Sequence, residues 1–401
     1  QCCNADDFSE HPLGPLYTWI LRCNILHVEL TVLKHFSVFF RKCDSFQCCS
    51  KPASKHRSHA ATRKFWSAMA VTATLHGFFR EDYKLKPGTS EAFFDFSVFT
   101  GGCWGCLKYF CLPPCGQNCR TTFNSMRNQT SCNVRLEDAR QKQKEEGLSD
   151  AEFFAKYGFI LMKHKTKMTA EDWLKSSTLM NPLSNKGQIP EATETPVLKV
   201  YSNELVEIVN KLIPQVESIH FPKHALRRGP NGPNPLYGLG VHQDFGLYPE
   251  DMTTTHVSKG NFEDWMSKLK DDSVGGYSVI NFWRPILPME GPVKNTPLAL
   301  CDPNTVKIDM IVPSRIIGFV KGGQRSMNLT FSKEQKWYYY PEMTKDEVLV
   351  FRQFHFDKTV SAPYKQLRTV FHSAFHHPHA SKQDEARCSS EYRVGVWLKM
   401  K

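Results

Sequence analysis

The sequence predicts a mainly β protein, a sandwich or jelly roll, braced by α-helices at its N-terminal side. Three observations carry this expectation. After Ile213-Pro214 the chain breaks into about ten short stretches of strand character: 217–226, 239–247, 276–285, 297–301, 306–313, 327–331, 336–340, 347–355, 369–375 and 392–399. Pro, Gly, Asn and Asp punctuate them, and only one helical stretch interrupts them, Phe262 to Leu269, capped by Asn261. Ahead of them lie helical stretches with apolar faces, of which Leu205, Ile208, Val209 and Leu212 make the clearest stripe. Helices first and strands afterwards suit a β-sandwich with helices packed on one outer face.

Taken in order, residues 1–68 show no sustained period and read as a non-domain N-terminal extension. Leader sequence or a mis-set reading frame ahead of Met69 would explain them, as would a poorly ordered natural extension. Residues 69–132 form an N-terminal segment, globular in composition from Leu75 to Phe99, with a cysteine-rich insertion. Its Cys103-Trp104-Gly105-Cys106 opening invites zinc. The spacings that follow, to Cys111, Cys115, Cys119 and Cys132, match no zinc ribbon or finger, so the run reads as an unstructured insertion. From residue 133 to 401 the chain reads as one jelly-roll domain. Leu136 to Gly147 is charged and predicts a helix. Ser149 caps a helix from Asp150 to Tyr157 that Gly158 stops, Phe159 to Met162 reads as a buried strand, and Thr169 caps a short helix through Trp173.

Composition narrows the function. With 401 residues, 41% of them apolar, there is material for a large buried core. The formal charge of +11 is dispersed: residues 1–68 hold nine Lys/Arg against five Asp/Glu, and 101–135 hold four with no acid. No basic cluster with interleaved aromatics occurs, which argues against nucleic-acid binding. Twelve of the 14 cysteines precede residue 133, leaving Cys301 and Cys388 in the rest. A disulfide-stapled secreted domain would spread them, so the expected location is cytoplasmic. The longest apolar run, Leu16 to Phe40, is broken by Arg22, His27, Glu29, Lys34 and His35, and predicts no membrane span.

The chemistry centres on Val241-His242-Gln243-Asp244-Phe245. On a strand, residues i and i+2 leave the same face, so His242 and Asp244 project side by side. One more imidazole completes two histidines and a carboxylate, the ligand set of mononuclear non-heme Fe(II) oxygenases. In a jelly roll it should come from a late strand, and His372, between apolar neighbours in Val370-Phe371-His372-Ser373-Ala374, fits better than His376, His377 or His379 in the following turn. Such enzymes need an electron donor, commonly 2-oxoglutarate, whose distal carboxylate calls for a cation. Fifteen residues on, Arg387 and Ser389 form an Arg-x-Ser pair, with Arg393 as the alternative anchor. Phe245, Trp283, Trp337, Tyr338 and Tyr339 are the aromatics expected near an apolar substrate.

The blocks Val241–Phe245, Asn281-Phe282-Trp283-Arg284-Pro285-Ile286, Pro297–Asp302, Trp337–Leu349, the His372 segment and Arg387–Arg393 together resemble one family. It is the non-heme Fe(II)/2-oxoglutarate oxygenase-like family of secondary metabolism, which includes gibberellin desaturase, aspergillic-acid-type hydroxylase/desaturase and the small cephem-methoxylase component. The resemblance runs from about Asn133 to the C-terminus. Where the family usually has Asp-Pro after the third-ligand motif, this chain has His377-Pro378.

The resemblance implies a double-stranded β-helix, or cupin-like jelly roll, with iron on His242, Asp244 and His372 and 2-oxoglutarate anchored by Arg387 or Arg393. It implies hydroxylation or desaturation of a small, largely apolar metabolite with O2, and the carboxylate of Asp244 argues against halogenation. A catalytically silent accessory jelly roll, or a cupin-like metalloenzyme that does not use 2-oxoglutarate, are the other readings. Succinate release separates them.

Overall fold

The computed structural model describes residues 70–85, 90–95, 121–122, 124–176, 195–228, 237–252, 262–317, 323–360, 367–381 and 383–400. Residues 1–69, the cysteine run from 103 to 119 and the Asn261 cap lie outside them. Among the described residues the first strand is β1 (Val71–Phe79), where buried Val71, Ala73 and Leu75 alternate with exposed Thr72 and Thr74. β2 (Ala92–Asp95) and β3 (Gln129–Asp138) follow.

β3 corrects one expectation. The helix predicted from Leu136 begins only at Ala139 (α1, Ala139–Glu146), because 129–138 is claimed by two partners distant in sequence. β1 bonds it antiparallel, and a later strand, Trp337–Tyr339, bonds it parallel, with Leu136 opposite both Val71 and Trp337. Tertiary pairing outweighs local charge pattern here. Asp138 ends the strand and caps the helix, its Oδ1 accepting from the Arg140 amide at 2.8 Å.

The next helices lie close to their expected places. In α2 (Asp150–Tyr157) Ser149 and Glu152 form a capping box, and Gly158 at φ 71° closes the helix. Strand β4 (Phe159–Lys163) and α3 (Ala170–Lys175), capped by Thr169 and Asp172, come next. α4 (Ser202–Leu212) continues from a π-helical turn at Val197–Tyr201 and buries the predicted stripe against α2 and the following strand.

That strand is β5 (Val216–Arg228), and after it come α5 (Phe262–Lys270), β6 (Val274–Pro285), β7 (Leu298–Cys301), β8 (Ile311–Ile317), β9 (Gln324–Leu329), β10 (Trp337–Tyr339), β11 (Glu347–Asp357), β12 (His372–Ala374) and β13 (Cys388–Lys399). They build two five-stranded sheets, β4-β11-β6-β13-β5 and β1-β3-β10-β7-β12, and a small sheet β2-β8-β9. The stretch expected as a strand at 239–247 is an extended segment held by isolated bridges. His242 pairs with His372, Gln243 with Met327 and Gly240 with His76. It therefore lies beside β12 at the edge of the second sheet.

Followed along the chain, β5, the 240–243 segment, β6, β7, β10, β11, β12 and β13 pass repeatedly between the two large sheets. This is the winding of a double-stranded β-helix. Pleating sorts the second sheet's side chains. Leu298, Leu300 and Tyr338 join the core shared with the first sheet, whereas Ala299, Cys301, Trp337 and Tyr339 join a separate cluster with β1 and β3. Among the described residues, no helix is long and apolar enough to cross a membrane.

Candidate metal centre

Hydrogen bonding fixes the two histidine backbones against each other: the His242 amide donates to His372 O at 3.1 Å, and the His372 amide to His242 O at 2.9 Å. The imidazoles consequently face one another, ring centroids 4.5 Å apart. Asp244, two residues past His242, leaves the same side with Oδ1 3.6 Å from His242 Nε2. Ligand atoms of His242, Asp244 and His372 all lie within 4.8 Å of one another. These are the three residues expected from sequence, and the structure brings them together.

Each candidate donor has a defined setting. His242 Nδ1 sits 2.6 Å from the Gly240 carbonyl, which sets the tautomer and leaves Nε2 free to ligate. His372 is buried and its Nδ1 has no hydrogen-bond partner. Burial, with His242 beside it, pulls its pKa down to about 4, so the ring is neutral. Burial opposes the charged forms of His242 and Asp244 too, but there it is outweighed. Asp244, beside Arg393 and His242, is held well below the usual carboxylate range, and His242 is raised by Asp244. Two imidazoles and an ionised carboxylate on one side of a point suit Fe(II).

One residue that sequence reasoning missed helps to hold this carboxylate. Gln353, fully buried on β11, donates from Nε2 to Asp244 Oδ2 at 2.8 Å. It occupies a register shift between Arg352 and Phe354, where a bulge gives the strand one extra residue. Arg393 Nη2 lies 3.0 Å from the same Oδ2 and 2.9 Å from Glu391 Oε1. Glu391 also pairs with Arg227 at 3.2 Å. Burial works against ionising Glu391, yet Arg393 and Arg227 bring it down to about 2. Nothing local marks Gln353, since its partner is 109 residues away.

The two arginines expected to compete as anchors are in opposite states. Arg393 is committed to two carboxylates. Arg387 is 1% exposed, donates from Nη1 to Thr296 O, and leaves Nε and Nη2 unpartnered. Its guanidinium carbon lies 4.1 Å from the Tyr237 ring centroid and 5.5 Å from that of Trp283. Burial and nearby Arg227 lower its pKa to about 9. Ser389 is also buried, its hydroxyl unpartnered.

Arg387 shares a cavity with His242, Asp244, His372, Trp283 and Asn281. It is a slot: about 340 Å³ up to its open mouth, of which about 20 Å³ admits the centre of a water molecule. Both polar atoms of the Asn281 side chain are buried without partners. Arg284 is engaged elsewhere, with His164 Nδ1 at 3.1 Å and the carbonyls of His164 and Lys345. Of the aromatics expected near substrate, Trp283 lines the slot. Phe245 packs beneath Arg393, 5.7 Å from it, in the cluster around Trp265 and Tyr277. Trp337 and Tyr339 do not line it, because the pleat turns them to the opposite face of their sheet, and Tyr338 packs in the main core.

A double-stranded β-helix with two imidazoles and a carboxylate converging inside it is a jelly roll with a candidate metal site. The family profile described as oxidoreductase/YMDC permease-like domain matches residues 108–397, and the chain belongs to that family. It is similar to the Fe(II)/2-oxoglutarate-dependent dioxygenase nvfI of Aspergillus novofumigatus, 30% identical over 122 residues, which are 30% of this chain and 41% of that protein. It is also similar to the hydroxylase/desaturase CTB9 of Cercospora beticola, 32% identical over 130 residues, 30% of this chain and 37% of that protein. In both, the match spans less than half of the relative's length. A longer match, 23% identical over 279 residues, covers 66% of this chain and 85% of oxidoreductase R2 of a Phoma species.

Among solved structures, the iron and alpha-ketoglutarate-dependent endoperoxidase NvfI superposes with a TM-score of 0.54 at 16% identity, covering 82% of this chain and 99% of that one. A second structure of it gives 0.52 at 17% identity, over 83% and 98%. At such identities the agreement is one of fold, and it is the jelly roll expected from sequence.

Proposed function

We propose that this chain is an Fe(II)- and 2-oxoglutarate-dependent oxygenase, a hydroxylase or desaturase of a small, largely apolar organic metabolite, working in the cytoplasm. One observation carries the reading: three metal-ligating side chains and a buried guanidinium with no carboxylate partner among the described residues line the same slot. The names of the relatives point the same way.

His242, Asp244 and His372 would hold Fe(II). Iron bound there supplies O2 activation coupled to oxidative decarboxylation, which turns 2-oxoglutarate into succinate and CO2 and oxidises an unactivated C–H bond of the substrate. Arg387 would fork its two unpartnered nitrogens onto the distal carboxylate, with Ser389 as the accompanying hydroxyl. Tyr237 and Trp283 cover the guanidinium planes and keep water from them. Asn281 would bind the co-substrate through its unpartnered amide. Arg393 and Gln353 keep Asp244 ionised and aimed. The carboxylate of Asp244 in the triad argues against halogenation.

Anaerobic titration with Fe(II) and 2-oxoglutarate tests this directly. A visible charge-transfer band should need both components and vanish in Asp244→Ala, and a substrate panel scored by succinate release should follow. Wild-type turnover of 2-oxoglutarate in Asp244→Ala would refute the site. Neither band nor succinate from the wild type would refute the reaction.

A further inference from the structure

A second cavity lies behind β11, bordered by α2, the end of α4 and the last residues of β13. It admits the centres of water molecules over about 340 Å³, against about 20 Å³ in the slot, and shares no lining residue with it. Such a volume is that of a small-molecule pocket. Phe154, Leu212 and Leu398 give it apolar walls.

Its floor holds Arg352, only 7% exposed. Nη1 donates to the Arg368 carbonyl at 3.2 Å, the guanidinium carbon lies 4.9 Å from the Phe154 ring centroid, and Nε has no partner. No carboxylate pairs with Arg352 among the described residues. Burial and the neighbouring Arg368 charge together pull it down to about 10. Arg368, half-buried, and exposed Lys399 add positive charge to the wall, and His355 faces the same space with Nδ1 2.8 Å from Ser278 Oγ.

Two acids border the cavity, and both are engaged. Glu152 Oε2 accepts from the Ser149 hydroxyl and amide at 2.6 and 3.0 Å, and Asp357 Oδ1 from the Thr359 hydroxyl and amide at 2.6 and 2.9 Å. A buried cation without a counter-charge is costly, and a roomy apolar chamber beside it is where a counter-charge would enter.

We infer that this cavity binds a small amphiphilic carboxylate, its apolar body against Phe154, Leu212 and Leu398 and its carboxylate on Arg352 and Arg368. The site is separate from the slot, although the two lie back to back. Phe351 and Gln353, on either side of Arg352, contact His372 and Asp244 respectively.

Sodium octanoate is a suitable probe, titrated by calorimetry into the full chain with octan-1-ol as the uncharged control. One molecule should bind the wild type, with octan-1-ol at least about tenfold weaker, since a charge-assisted hydrogen bond is worth that much. Arg368→Gln should weaken octanoate by a similar factor without disturbing the buried guanidinium. Ala151→Trp, at a half-buried helix position on the cavity wall, should block it while circular dichroism stays unchanged. Arg387→Gln should leave it intact, which keeps this test independent of the oxygenase reading. Wild-type affinity in Ala151→Trp, loss of binding in Arg387→Gln alone, or no binding to the wild type at millimolar octanoate would each overturn the inference.

Discussion

The two large sheets divide the work unequally. In one, β5, β6, β11 and β13 are 11 to 13 residues long. In the other, β1 and β3 have 9 and 10, but β10, β7 and β12, the strands toward its ligand-bearing edge, have only 3 or 4, and it is called the short sheet for these. The short sheet supplies His372, and the bridged segment at its edge supplies His242 and Asp244. The long sheet supplies none of these three, but it supplies Gln353 and Arg393, which contact the Asp244 carboxylate, and Glu391, which pairs with Arg393. Reactive groups thus sit where the backbone ladder is shortest, and polar contacts from the deeper sheet orient them across the interior.

The largest effects should follow from the short-sheet side. Asp244→Ala removes the only carboxylate of the triad, so iron content and succinate formation should fall below detection, measured on the same preparation. Next comes Arg387→Gln. Loss of the forked contact should raise the 2-oxoglutarate concentration needed for half-maximal rate by about 10- to 100-fold, with kcat changed less. Steady-state kinetics in 2-oxoglutarate read this. An unchanged KM would return the anchoring role to Arg393 and undo the contrast between the two arginines. From the long sheet, Gln353→Ala should weaken Fe(II) binding by roughly tenfold or more, the range for a group that orients a ligand. Unaltered Fe(II) affinity there would mean that the long sheet merely packs.

What was legible in the sequence follows the same division by distance. The capping boxes at Ser149 and Thr169, the Gly158 stop and the long late strands are written in neighbouring residues, so local rules recover them. The triad was legible because His242 and Asp244 share a strand-like pleat, and His372 sits in an apolar run. β1 left a signal in the alternation of Val71, Ala73 and Leu75 with polar residues, but it is one short segment among cysteine-rich and unperiodic sequence. β3 was masked by the charge that follows it, and its pairing partners are far away in the chain. Gln353 could not be read at all, since its partner is 109 residues away. For Arg393 one acid is local, Glu391 two residues before it on the same strand, but the other, Asp244, lies more than a hundred positions away. Trp337 and Tyr339 were misjudged as substrate-facing because aromatic content says nothing about which face of a sheet is the interior.

The smallest expected effect tests the long sheet as the stabilising frame. His220 and His224 lie on β5, against Tyr277 Oη at 2.7 Å and Ser390 Oγ at 2.9 Å. Both are brought down to about 4. For His220 the cause is burial, reinforced by Lys268, and for His224 it is burial, against an opposing pull from the Ser176 backbone and Glu391. Their folded-state values are below the ordinary 6.5, so between those limits the unfolded chain binds more protons than the folded one. Stability contributed by the neutral rings is complete above pH 6.5 and declines as pH falls toward 4. At pH 5.5 the loss should be about 1 kcal/mol per histidine relative to pH 7.5, read as a lower urea midpoint. His224→Gln keeps a polar group near Ser390 but cannot titrate, and should flatten the slope by about a quarter, because His372 and His377 are likewise brought down to about 4. If the slope is the same in that variant, acid acts elsewhere, and the frame owes its pH dependence to another sheet.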